Sequence, residues 1–198
     1  MKTIVVASHN SGKIEEIRYI LRHWKVKLIG LHELGFHDEI PEDGKSFREN
    51  ALIKAREIKK LTDFPVLSDD SGMLVEAMGA RPGIYTARYG GDISFGEKRK
   101  KMLEEMKGIE NRNAFFACEI AFLYGDREFT QLGLCFGEVA QEERGDFGFG
   151  FDSIFYYPPL DKTFGELPME EKHNLSHRWD ALHRLEEKLK NEGISYLR

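Results

Sequence analysis

The 198-residue chain is 41% hydrophobic and 32% charged with 6 prolines, a composition that excludes a disordered polymer and suits one sizeable core. Its net charge of -5 argues against a nucleic-acid grip, whose usual signature is a basic surface. The opening run Met1–Ala7 is apolar but too short and too quickly polar for a signal peptide or membrane span, so the expectation is a cytoplasmic protein without a membrane or nucleic-acid partner.

Residues 2–7 form a β-branched run, followed by Ser8, His9, Asn10, Ser11, Gly12 and Lys13 and then by apolar residues at Ile14, Ile17, Leu21 and Trp24. Intervals of three and four predict a strand, a polar turn and a one-faced helix. A helix start preceded by Ser and Asn, with a Lys in its first turn, can hold phosphate, and simple helix capping explains the same residues equally well. It is not a Walker loop, which would place glycine at Ala7 and a hydroxyl at Ile14.

Residues 25–31 read as a second strand. A polar loop containing Glu42 leads to Ser46 and Glu49, whose spacing predicts a capping box and a helix with Phe47, Ala51, Ala55 and Ile58 on its apolar face. Asn50 and Lys54 share another face of that helix and could look into a cleft. Next comes the short apolar run Val66-Leu67, which delivers Ser68, Asp69, Asp70, Ser71 and Gly72 to one point. Neighbouring side chains leave a strand on opposite faces, so both carboxylates serve one site only if the chain bends, and Gly72 would permit a bend. Gathered carboxylates suggest a hard cation, with Mg2+ the natural candidate and Glu42 a further ligand if its loop folds over. A solvated Asp-Asp-Ser-Gly turn is the plainer alternative.

Met73–Met78 continues as a strand, and the loop from Gly79 to Gly91 mixes stiff and permissive residues, as a binding or interface loop does. Residues 94–107 read as a helix with Met102, Leu103 and Met106 inward and Lys98, Arg99, Lys100 and Lys101 in water. Residues 112–140 alternate around Gly125-Asp126, predicting a long antiparallel hairpin, and Cys118 and Cys135 read as reduced packing residues within it. In Gly148, Phe149, Gly150, Phe151 and Asp152 the glycines let flat rings approach something planar, such as a base, with Asp152 as an acceptor. Core packing is the competing explanation. Lys172, His177 and Arg178 stand at the opening of a final helix with Ala181, Leu182, Leu185 and Leu189 on one side, and supply donors for carbonyl or phosphate oxygens. With no repeat or linker, residues 1–198 read as a single α/β domain.

Taken in order, the segments 8–13, 46–51, 68–72, 82–89 and 148–152, with Lys172 and 176–178, resemble the inosine triphosphatase or Ham1-like family of non-standard purine nucleoside triphosphate pyrophosphatases. The resemblance runs nearly end to end. It implies a long mixed β-sheet with flanking helices in two lobes around a central cleft, and a homodimer. It implies that Ser8, His9, Asn10, Ser11, Gly12 and Lys13 bind the triphosphate, that Lys54 and Ser71 touch substrate, and that Asp70 is the catalytic carboxylate, assisted by Lys13. It further implies that Glu42 and Asp70 hold Mg2+, that Phe149–Asp152 bind the base, and that Lys172, His177 and Arg178 read a purine with oxygen at C6. Ser8, His9, Phe151, Ser153 and Trp179 depart from the commoner residues of the family.

The implied reaction releases pyrophosphate and a monophosphate from inosine, deoxyinosine or xanthosine triphosphate. A Maf-like pyrophosphatase acting on pyrimidine or modified nucleotides and a non-catalytic nucleotide sensor are the alternatives. A haloacid-dehalogenase-type phosphatase would need Asp-x-Asp, whereas Asp69 and Asp70 are adjacent.

Overall fold

The computed structural model describes residues 2–194. Its strands are β1 (Lys2–Val6), β2 (Val26–Gly30), β3 (Val66–Val75), β4 (Arg81–Pro82), β5 (Asn113–Tyr124), β6 (Arg127–Val139), β7 (Phe155–Tyr157) and β8 (Lys162–Thr163). The helices are α1 (Ser11–Ile20), α2 (Leu31–Leu34), α3 (Phe47–Lys59), α4 (Phe95–Glu105), α5 (Met169–Lys172) and α6 (His177–Asn191). They make a mixed α/β fold on an open eight-stranded sheet of order β2-β1-β3-β5-β6-β7-β8, with β4 paired to β3. β1 is parallel to β2 and β3, whereas the pairs β3–β4, β6–β7 and β7–β8 are antiparallel. No helix among the described residues is long and apolar enough to cross a membrane.

The chain divides into two compact units. The first holds the residues up to Asp70, Cys118–Gly133 and those from His177 onward; the second holds Ser71–Ala117 and Leu134–Ser176.

In the first unit, strand alternation decides which helix each residue meets. Ile4, Val6 and Leu67 pack with Ile17 and Ile20 of α1 and with Ala181, Leu182, Leu185 and Leu189 of α6. Val5, Ala7 and Val66 face the other way, onto Leu31 of α2 and Ala51, Ala55 and Ile58 of α3. β1 is therefore apolar on both sides, as a strand covered by helices must be. Where β6 meets the first turn of α6, a Cβ at Gly133 would lie 2.2 Å from both the Ala181 nitrogen and the His177 oxygen, so only glycine allows that approach.

The second unit packs Met73, Val75, Met102, Met106, Phe116, Phe155 and Phe164 into one core. Arg112 is buried beside it and donates to the carbonyl oxygens of Met106, Val139 and Ala140 at 2.9, 2.6 and 2.6 Å. The cation thus collects carbonyls where chain segments end, giving these acceptors a buried donor.

Several sequence expectations change. β3 does not bend at Gly72: it runs unbroken from Val66 through Val75, because its side chains find partners on both faces. Glu49 does not close a capping box; it accepts from Lys45 N–H at 2.6 Å, while Ser46 caps α3 by accepting from Glu49 N–H. β5 is buried along most of its length rather than alternately. The basic run of α4 is not simply solvated, since Lys98 is buried and donates to the Ala87 carbonyl. Cys118 and Cys135 are buried and not disulfide-bonded, as expected.

Candidate active site

The unbroken strand assigns the adjacent carboxylates different surroundings. Asp69 lies on the side of Leu67, toward α1 and α6; Asp70 lies on the side of Val66 and Ser68, toward α3. Asp69 is fully buried and accepts from Arg178 Nη2 at 2.9 Å and Nε at 3.3 Å, with Lys13 Nζ 3.1 Å away. Arg178 Nη1 donates to Glu16 at 2.6 Å, and both of those side chains are almost wholly buried. Burial alone would raise the Asp69 pKa, but the Lys13 and Arg178 charges outweigh it and hold the carboxyl well below the usual range. Asp69 is thus a strut whose charged form its partners favour.

Asp70 is different. It accepts from Asn50 Nδ2 at 3.1 Å, and Lys54 Nζ lies 3.2 Å from its other oxygen. The same ammonium donates to Glu42 Oε1 at 2.7 Å, so Lys54 stands between the two carboxylates. Burial pushes the Asp70 pKa up, the Lys54 and Lys13 charges offset part of that rise, and Glu42 adds to it. Such a carboxyl gains from a proton or a further cation, which Asp69 does not. Burial pulls the Lys54 pKa down, but Asp70, Asp69 and Glu42 more than compensate and keep it charged.

The turn before α1 is built by its own polar side chains. Ser8 Oγ accepts from Asn10 N–H at 3.1 Å, and Asn10 Oδ1 accepts from Lys13 N–H at 3.1 Å as the N-cap. His9 Nε2 lies 2.9 Å from the Asp38 carbonyl, and its ring stacks on Phe36 with centroids 6.1 Å apart. His9, Asn10 and Ser11 are exposed, whereas Ser8, Gly12 and Lys13 are half-buried. Exposed backbone at a helix start with a lysine beside it suits an anionic ligand.

The second unit carries its own polar group. Asp152 is buried, accepts from Phe149 N–H at 2.7 Å, and is ion-paired with buried Lys172. Lys172 Nζ lies 4.8 Å from the centre of the Phe149 ring, a cation–π arrangement. Gly148 has φ 76°, and a Cβ there would come within 2.1 Å of Asp152 Oδ2. Phe151 is 2% exposed and packs edge-on against Phe95 and Tyr89, so Phe149 alone of the two rings is left half-buried.

The expected residues therefore fall into groups. Lys54, Glu42, Asn50 and Asp70 are joined by shared hydrogen bonds in the first unit, where Lys13 is ion-paired with Asp69 and His177 and Arg178 are also buried. Phe149, Gly150, Asp152 and Lys172 come together in the second, which also contains half-buried Ser71. Arg178 differs from its expected role at a base, since its guanidinium is engaged by Glu16 and Asp69. The strut role of Asp69 and the part of Glu16 were missed. A Glu beside Ile17 on the inward face of α1 was the available signal, because a buried carboxylate requires a buried cation. Among the described residues no group of three or more His, Cys, Asp or Glu side chains is arranged to hold a metal; Glu42 and Asp70, joined by Lys54, are the hard-oxygen pair closest to that chemistry.

An open mixed sheet flanked by helices, with adjacent carboxylates within β3 and lysines beside them, defines an α/β protein suited to an anionic ligand. Residues 4–188 match the Ham1 family. A dITP/XTP pyrophosphatase of Dictyoglomus thermophilum is 43% identical over 93% of this chain and 92% of its own, and one of Bacillus subtilis is 42% identical over 93% and 96%. Among solved structures, the Ham1 protein of Staphylococcus aureus is 38% identical with a TM-score of 0.85, covering 96% of this chain and 100% of its own. A HAM1 protein from Coxiella burnetii gives 39% and 0.86 over the same shares. The chain belongs to the Ham1 family.

Proposed function

We propose that this protein hydrolyses inosine, deoxyinosine and xanthosine triphosphates to the monophosphate and pyrophosphate. The observation that carries the reading is the Glu42–Lys54–Asp70 arrangement, together with the activity printed in the names of the dITP/XTP pyrophosphatase relatives. Water attacks the α-phosphorus, a new O–P bond forms, the bond from that phosphorus to the bridging oxygen breaks, and pyrophosphate leaves. Asp70, whose carboxylate burial makes more basic, accepts the proton from the attacking water. Lys13 and the Ser8–Gly12 turn bind the phosphates, and Lys54 and Ser71 orient them. Asp69 keeps Lys13 in place.

Glu42 and Asp70 are the residues that would hold Mg2+, and their hard oxygens fit it. When bound, the ion supplies charge neutralisation at the phosphate oxygens. At the base, Phe149 offers a face for stacking, and the donors of Lys172, His177 and Arg178 favour a C6 oxygen. The amino group of adenine would leave buried donors unpaired, at a cost of about 1–3 kcal/mol each. The same reading makes the protein a cytoplasmic homodimer.

The test is incubation with inosine, xanthosine, adenosine and guanosine triphosphates, with Mg2+ or with EDTA, followed by product identification. Pyrophosphate and monophosphate from the inosine and xanthosine compounds, lost with EDTA, support the reading. Orthophosphate with diphosphate overturns it.

A further inference from the structure

We propose that Arg99 and Glu143 are positioning residues for purine recognition, clamping the Gly150–Ser153 turn from both ends. The proposal rests on the reading of Phe149–Asp152 as the base-binding segment. Arg99 lies one turn after Phe95 on α4, so the two side chains share a face. Phe95 meets the Phe151 ring edge-on, centroids 5.7 Å apart. Arg99 Nη1 donates to the Gly150 carbonyl at 2.9 Å, and its Nε donates to Glu143 Oε2 at 2.8 Å. That carboxylate oxygen also accepts from Ser153 Oγ at 3.3 Å. Gly150 is left-handed, with φ 65°, and the guanidinium holds its carbonyl in that turn.

One ion pair thus holds the Gly150 carbonyl before Phe151 and Asp152 and the Ser153 hydroxyl after them. With side chains 23% and 32% exposed, the pair contributes little to stability. Its consequence falls on where Phe149 and Asp152 stand, because small displacements of binding groups weaken recognition more than they weaken a fold. Lys100, the next residue, is exposed and serves as the control.

Three measurements on the full chain test this: kcat and KM for inosine triphosphate, the affinity for inosine monophosphate by calorimetry, and the urea midpoint. Arg99→Ala should raise KM and the monophosphate Kd about tenfold, the scale of one lost charge-assisted hydrogen bond, with kcat changed less than about threefold. Glu143→Ala should do the same and carries the test if Arg99→Ala does not fold. The double variant should be no worse than either single one, because the pair acts as a unit. Lys100→Ala should match the parent. Unchanged KM and Kd, a fall in kcat alone, or losses that merely follow an earlier urea midpoint overturn the proposal. A parent inert toward inosine triphosphate removes the pyrophosphatase reading but leaves this one to be judged on monophosphate affinity. A parent that does not bind the monophosphate overturns this one too.

Discussion

Exchanging each neighbouring carboxylate for its amide should separate folding from chemistry within a single dipeptide. Asp69 is fully buried with Arg178 at 2.9 Å and Lys13 at 3.1 Å. Asp69→Asn takes a buried carboxylate charge away from both Arg178 and Lys13. Breaking one side of a buried pair costs about 3–5 kcal/mol, a large part of the roughly 5–15 kcal/mol that holds a typical protein folded. Asp70→Asn removes a charge that burial already disfavours. Lys54 keeps Glu42 at 2.7 Å, so the expected change in stability is within about 1 kcal/mol, while turnover falls by about 10²-fold or more. Urea unfolding at neutral pH and pyrophosphate release measure the two effects. The pH dependence follows from the lowered Asp69 pKa: its stabilisation is present above the unfolded carboxyl value of about 3.9 and fades as pH falls below it. The gap between parent and Asp69→Asn should therefore narrow in acid. An Asp69→Asn midpoint equal to the parent's, or an active Asp70→Asn, would falsify the division of labour.

Lys54→Met removes the ammonium that Glu42 and Asp70 share. Without that charge the Asp70 carboxyl holds its proton more tightly, so the acid limb of the kcat/KM profile should move to higher pH; an unmoved limb shows that Lys54 does not tune the site. Arg112→Met removes the donor that the carbonyls of Met106, Val139 and Ala140 share. It should cost about 3 kcal/mol in urea unfolding, with KM unchanged in the protein that remains folded; a changed KM places Arg112 in recognition.

What was legible in the sequence was local. The intervals of Ile14, Ile17 and Leu21, the Ser46 cap and the Gly125-Asp126 turn each carry their instruction within a few residues, and α1, α3 and the β5–β6 hairpin follow them. Glu42, Lys54 and Asp70 were also legible as a group, because Lys54 and Asn50 fall on one helical face. The role of Asp69 was not. Its partner Arg178 stands 109 residues away, and the pattern of two neighbouring aspartates invited a bend that would unite them. Charge runs misled for the same reason: Lys98, Arg99, Lys100 and Lys101 look alike in sequence, yet Ala87, Gly150 and Glu143 claim two of them. Phe151 was read as a candidate for a base, but Phe95 and Tyr89 claim its edges.

The alignment of β1 with β3, in which Val5 faces Val66 and Val6 faces Leu67, acquires a meaning beyond packing. A slip of one position would hand Asp70 to the guanidinium and Asp69 to the ammonium, since every side chain on a strand changes sides together. Valine and leucine with no polar atom in their side chains thereby choose which aspartate becomes scaffold and which becomes reagent. An inactivating substitution can therefore sit among greasy residues, in a protein that still folds.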